Sequence, residues 1–273
     1  MGLFPPPART NLGGATGVRL VGVSTDETRR AQAASFGAAA GEYERGRPPY
    51  PHEAIDWLLP AGAVQVLDLG AGTGKLTRQL TGRGLDVTAV EPSDGMREQL
   101  VRAVPGVRAL VGTAERIPLP DNSVDAVLVA QAWHWVDPAQ AVPEVARVLR
   151  PGGRLGLIWN VRDERADWVA GLGAILRQSD GARVSGTVSA APPVGPPFGP
   201  LERRDVEWVH HLSPDALIDM VLSRSYVITM PPAGREKLLN ELRHLMRTHP
   251  ALAGAAEIAM PYVTRCWRAR RQA

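Results

Sequence analysis

Cysteine is nearly absent from this chain. The lone thiol, Cys266, excludes a disulfide within the chain and a zinc site built from several cysteines. No apolar run reaches the roughly 18 residues that a membrane helix needs, so no span is expected. The first residues lack the Lys- or Arg-led apolar core of a signal peptide, which points to a cytoplasmic protein. A strong charge of either sign is also missing. The net charge is +3, and part of the excess sits in the basic tail Arg268 to Arg271, so nucleic acid is not an expected partner. Aromatic residues make up only 5%, although seven tryptophans supply half of them. Against these absences stand 44% apolar and 22% charged residues over 273 positions, enough for one large domain or one domain with an added subdomain.

The stretch around which the rest is arranged is Val64 to Lys75. Val66, Leu67 and Leu69 form a short apolar run of the kind found in a parallel strand covered on both faces. Gly70, Gly72 and Gly74 follow at alternate positions, where a sharp turn and a close ligand approach are both open to the backbone. A helix from Lys75 to about Thr81 then directs its free N–H groups back at the turn. The dinucleotide fingerprint places its third glycine at the sixth position, which here is Lys75, and the P-loop pattern is not satisfied either. Asp68-x-Gly70-x-Gly72-x-Gly74 instead resembles motif I of class I S-adenosylmethionine-dependent methyltransferases. A second strand, Leu85 to Val90, ends at Glu91, 21 positions after Gly70, where an acid can accept hydrogen bonds from ribose hydroxyls. A nicotinamide enzyme shares that acid, so the glycine spacing separates the two readings.

The resemblance extends from about residue 36 to residue 160. Ser35 to Pro51, with Phe36, Tyr43 and Arg47-Pro48-Pro49-Tyr50-Pro51, is similar to the lead-in of small-molecule methyltransferases related to trans-aconitate methyltransferase. In that group the segment folds over the cofactor and helps to wall the substrate site. The resemblance therefore implies that Tyr43 and Arg47 contact the ligands; the alternative is that Tyr43, Tyr50 and the prolines only pack the first helix onto the sheet. Gln131-Ala132-Trp133-His134-Trp135 after the fourth strand continues the likeness, as does Leu149-Arg150-Pro151-Gly152-Gly153 before the fifth.

The resemblance implies an α/β, Rossmann-like, seven-stranded sheet, mostly parallel with an antiparallel last strand. Helices cover both faces, with further helical cover at the N- and C-terminal ends. Strands are expected at about 64–69, 85–91, 107–111, 124–130, 154–160, 203–211 and 257–268. Residues 1–34 are expected to be poorly ordered, broken by Pro5-Pro6-Pro7 and Gly13-Gly14. Residues 35–273 form the methyltransferase domain, with its core at 50–160 and helical insertions in 161–273. Asp125, which interrupts the apolar fourth strand, is expected to be structural.

For the site, the resemblance implies S-adenosylmethionine as cofactor, with S-adenosylhomocysteine as product. Asp68 would hold the ammonium, Gly70, Ala71, Gly72 and Gly74 would give backbone access, and Glu91 with Pro92 would border the ribose. Met96 would touch the adenine or else pack in the core. The loop Thr113-Ala114-Glu115 would carry the adenine, although Thr113 stands where the family often has an aspartate. Gln131 would lie beside the methionine part, and Trp133, His134 and Trp135 would border the acceptor. His134 is either a general base or a packed loop residue. The expected partner is a small-molecule methyl acceptor, for which Arg47 would clamp a carboxylate. No metal is expected. An RNA or protein methyltransferase and a non-catalytic cofactor-binding protein are the competing readings.

Overall fold

The computed structural model describes residues 47–179, 191–228 and 230–272. Tyr43 and the expectations for residues 1–34 lie outside them. The first elements are helix α1 (His52–Leu58), strand β1 (Gln65–Leu69), helix α2 (Lys75–Thr81), strand β2 (Asp86–Val90), helix α3 (Asp94–Ala103), strand β3 (Arg108–Leu110) and strand β4 (Val124–Ala130). A 3-10 turn at Trp133–Trp135 leads to helix α4 (Pro138–Val148) and strand β5 (Leu149–Arg162). The remainder comprises helix α5 (Asp167–Ser179), strand β6 (Glu202–Leu212), helices α6 (Pro214–Leu222), α7 (Ser225–Ile228) and α8 (Pro232–Thr248), and strand β7 (Ile258–Arg270).

The seven strands lie in the order β3-β2-β1-β4-β5-β7-β6. The β1–β2, β1–β4, β2–β3 and β4–β5 pairs are parallel, and β7 runs antiparallel to both β5 and β6. The chain leaves β1 toward β2 on one side and returns to β4 on the other. The carboxyl ends of β1 and β4 therefore flank a topological switch point, where an open α/β sheet leaves a crevice.

Period-two alternation explains how two faces are buried at once. Leu67, Val127, Val129, Leu155 and Leu157 pack with Ala141, Val142 and Val145 of α4. The intervening Val66, Leu128 and Ile158 pack on the opposite face with Ile55 and Leu58 of α1 and Leu76 and Leu80 of α2. A separate apolar cluster holds the C-terminal helical cover, with Val169 and Leu172 of α5, Val221 of α6, and Leu238 and Leu242 of α8 against Met260 and Tyr262 of β7. Helix starts follow capping chemistry. The Asp137 carboxylate accepts from Ala139 N–H at 3.0 Å ahead of α4, and the Ser213 hydroxyl accepts from Ala216 N–H at 3.1 Å ahead of α6.

Both limits of β5 differ from those expected. Leu149 already pairs with Val124, and a register shift between Val124 and Ala126 takes up the Arg150-Pro151-Gly152-Gly153 turn. At its other end β5 runs on to Arg162, because β7 supplies a partner, Tyr262, beyond the end of β4. Asp125 is structural, as expected: its Oδ2 accepts from Val64 N–H at 2.9 Å and Gln65 N–H at 2.8 Å, and its Oδ1 meets Arg150. Burial opposes ionisation there, but the two N–H groups and Arg150 outweigh it and lower the pKa.

Asp125→Ala should cost about 1.5–3 kcal/mol, the range for hydrogen bonds to a charged group. Because the folded pKa is lowered, that contribution is present above the unfolded carboxyl value of about 3.9 and fades as pH falls through the folded one. Urea denaturation of both proteins should give a constant difference from about pH 5 to 7 that shrinks in acid. A difference independent of pH would refute the ionic role.

Candidate functional site

The crevice begins at the end of β1. Asp68 has no exposed surface; its Oδ2 accepts from the Thr77 hydroxyl of α2 at 2.6 Å, while its Oδ1 is buried without a hydrogen-bond partner among the described residues. Burial is the main cause, and the neighbouring Glu91 a lesser one, of a pKa raised to about 7, although the Thr77 contacts pull the other way. A buried acceptor left open costs free energy unless something donates to it. Asp68 is therefore a ready partner for a cation or an N–H donor entering the crevice.

The glycine loop lies directly above. Gly70, Gly72 and Gly74 all have positive φ, at 71°, 57° and 88°. At Gly70 an added Cβ would stand 2.9 Å from the Ala132 Cβ, so the loop packs tightly on the segment after β4. At Gly72 an added Cβ would meet nothing within 4 Å, so this face opens into free space. Ala71 is buried with Ala89 and Leu100.

Glu91 joins the two strand ends. Its Oε2 accepts from Gly72 N–H and its Oε1 from Ser93 N–H, both at 2.9 Å. Burial raises its pKa against the pull of those two N–H groups and Arg97. Each carboxylate oxygen retains a second lone pair for a hydroxyl donor. Pro92 beside it is exposed, and Met96 is buried on α3.

The loop after β3 closes the next side. Thr113 and Arg116 exchange backbone hydrogen bonds at 3.2 Å, which leaves Thr113 exposed and Ala114 buried. The Glu115 carboxylate is engaged with Asp137 N–H at 2.9 Å, so this side chain ties the loop to the start of α4.

After β4, Gln131 has φ 57° and donates from Nε2 to the Asn160 carbonyl at 3.2 Å. Trp133 is buried in the central core, whereas Trp135 is 39% exposed. His134 is exposed and lies 4.9 Å from the Trp135 ring, centroid to centroid. The surrounding protein, followed by the charge of Arg47, pushes its pKa down to about 4, so the imidazole is neutral at physiological pH. Of the sequence-derived candidates, the fold thus gathers Asp68, the glycines and Glu91 on one side of the crevice, and Arg47, Gln131 and His134 on the other. It turns Trp133 into the core and Glu115 toward α4.

Asn160, Arg162 and Arg224 were not among those candidates. Asn160 Nδ2 donates to the Pro49 carbonyl at 2.9 Å and its Oδ1 accepts from the Thr264 hydroxyl at 2.6 Å, which holds the entry segment onto β5. An arginine closing a buried strand at the carboxyl edge was the available signal for Arg162; the expected strand end at residue 160 hid it.

Two buried carboxylates at a glycine turn, on this strand order, define a Rossmann-like α/β fold with its ligand side at the carboxyl ends of β1 and β4. Comparison with known proteins names the class. A family profile described as a methyltransferase domain matches residues 67–157. An uncharacterized methyltransferase of Mycobacterium tuberculosis is 61% identical over 242 residues, covering 89% of this chain and 98% of the relative. An uncharacterized methyltransferase of Schizosaccharomyces pombe is 32% identical, covering 84% of this chain and 94% of the relative. The solved structure of a candidate type II methyltransferase from Anaeromyxobacter dehalogenans superposes with a TM-score of 0.60 at 25% identity, covering 83% of this chain and 97% of that one. The chain belongs to the class I S-adenosylmethionine-dependent methyltransferases.

Gly72→Ala should fold and lose about 1–2 kcal/mol, the cost of a Cβ in left-handed backbone. Its affinity for S-adenosylhomocysteine should fall because the methyl group fills the open face. Gly70→Ala should lose more stability, since overlap with Ala132 adds to the strain. Denaturation midpoints and calorimetric titration check both; a Gly72→Ala protein that binds like wild type would move the cofactor off this loop.

Proposed function

We propose that the protein transfers a methyl group from S-adenosylmethionine to a small organic-acid acceptor at the carboxyl edge of β4 and β5. The observation that carries this reading is the charge arrangement at that edge. The buried carboxylates lie on the glycine-loop side, and the Arg47 guanidinium acts on His134 at the opposite side.

Asp68 Oδ1, the open buried acceptor, takes the ammonium of the cofactor. The free lone pairs of Glu91 accept from the ribose hydroxyls, and the open face at Gly72 leaves room for the sulfur nucleoside. The turn at Thr113 and Ala114 borders the adenine. S-adenosylmethionine supplies, when bound, a methyl group already activated by a sulfonium charge. What remains for the protein is alignment of donor and acceptor and removal of water, effects that together can lower a barrier by many kcal/mol. A carboxylate acceptor is ionised at neutral pH and needs no base. Its requirement is a cation, which Arg47 provides. His134, held neutral, lines the acceptor side without taking a proton.

Titration calorimetry should show binding of S-adenosylmethionine and S-adenosylhomocysteine but not of NADH, and Glu91→Ala should weaken it by about 1.5–3 kcal/mol. Binding at pH 6.5 should release a proton. Asp68 is partly protonated in the free protein, with a pKa near 7, and pairing with an ammonium draws that pKa down. Affinity should therefore climb as pH rises toward about 7 and then level off. Titrations in two buffers of different ionisation enthalpy read the proton directly; none released would remove Asp68 from the ammonium site.

With an identified acceptor, kcat/KM should show no His134-dependent inflexion between about pH 5.5 and 8. A limb near pH 6.5 that disappears in His134→Asn would make the histidine a base after all.

A further inference from the structure

Arg47, Arg162 and Arg224 converge where the helical cover meets the carboxyl edge of the sheet. Arg47 comes from the entry segment, Arg162 closes β5, and Arg224 lies in the turn between α6 and α7. Burial and then the charges of Arg162 and Arg47 bring the Arg224 pKa down to about 10. Burial is the main cause that lowers the Arg162 pKa; Tyr262 opposes it, Arg47 adds to it, and Tyr226 and Glu164 pull it up more weakly. The Nε of Arg162 and the Nε of Arg224 are both buried without a hydrogen-bond partner. Among the described residues, neither guanidinium has a carboxylate within ion-pair distance. Glu164, which acts on Arg162 from farther away, is engaged with Arg177 at 2.8 Å.

The surroundings are built rather than loose. Arg162 stands directly across from Tyr262 in the sheet. The Tyr262 hydroxyl donates to Met220 Sδ at 3.3 Å and its ring stacks on Trp208 at 5.4 Å. Arg224 lies over the Tyr226 ring at 5.5 Å. Both arginines keep part of their surface exposed, so solutes can reach them. Guanidinium groups with buried, unpaired Nε atoms and, among the described residues, no counter-charge are unfavourable unless an anion completes them, and their planar donor fork matches a carboxylate or phosphate.

We propose that Arg162 and Arg224 form an oxyanion subsite that anchors a charged group of the acceptor other than the one being methylated. The acceptor class is then a small molecule with at least two negative charges, one beside Arg47 and His134 and one on the Arg162–Arg224 pair. This rests on the methyltransferase reading for the word acceptor, but not for the binding itself. Arg162 ends the strand that carries Asn160, whose carbonyl Gln131 contacts, so the pair lies along the same edge as the transfer point.

The test is calorimetry on the full chain at fixed ionic strength, with S-adenosylhomocysteine saturating, using acetate, succinate and inorganic phosphate as probes. Succinate or phosphate should bind at least about tenfold more tightly than acetate. The stronger of the two tells whether the subsite prefers a carboxylate or a phosphate. Arg162→Gln and Arg224→Gln should each weaken that binding about tenfold or more and leave S-adenosylhomocysteine affinity unchanged. Arg102→Gln, exposed on α3 and paired only with Glu98 among the described residues, should change neither.

A second readout separates binding from scaffolding. Without ligand, the Gln variants should melt no lower than wild type, because each removes an uncompensated charge. A lower melting point, no dianion binding by wild type, or dianion binding unaffected by both substitutions would overturn the subsite. Anion binding without sulfur-nucleoside binding would instead overturn the methyltransferase reading and leave the subsite standing.

Discussion

The hydrogen bond from Gly72 N–H to the Glu91 carboxylate is the constraint on which the site depends. It spans the tips of β1 and β2 and holds the glycine loop at one height above the sheet. The carboxylate can act this way because Ser93 N–H takes its other oxygen and turns the chain into α3. Gly70 pressed against Ala132 then fixes where the segment after β4 begins, and so where Gln131 and His134 stand.

Charge is sorted across the crevice. Two buried carboxylates, both with raised pKa, sit under the glycine loop, and arginines gather on the far side beneath the helical cover. Such separation opposes the local neutralisation that folding ordinarily favours, and burial of the surrounding apolar clusters offsets its cost. On the proposed reading, a cationic cofactor group meets the acids and an anionic acceptor meets the arginines, so each ligand relieves one half of the strain.

Most of the sheet was legible in the sequence because its signals are local. Apolar runs bounded by turn residues marked five parallel strands, alternation near residues 203–211 marked the sixth, and Ile258, Tyr262, Val263 and Trp267 marked the last. The strand limits were less accurate where pairing comes from far away: β5 extends to Arg162 only because β7 lies beside it. Trp133 and Glu115 illustrate the same limit within the site. Nothing local tells that the 3-10 turn sends Trp133 into the core, or that Glu115 finds Asp137 N–H across 22 positions.

By itself the sequence determined the glycine turn and the two acids that flank it, because these rest on residues close together in the chain, and through them the family resemblance that implied the α/β architecture. Only the tertiary structure decided which charges meet. Arg47, Arg162 and Arg224 lie far apart in sequence and carry no shared pattern. Their mutual repulsion, and the lack of a counter-charge beside Arg162 and Arg224 among the described residues, exist only once the helical cover folds over the end of β5.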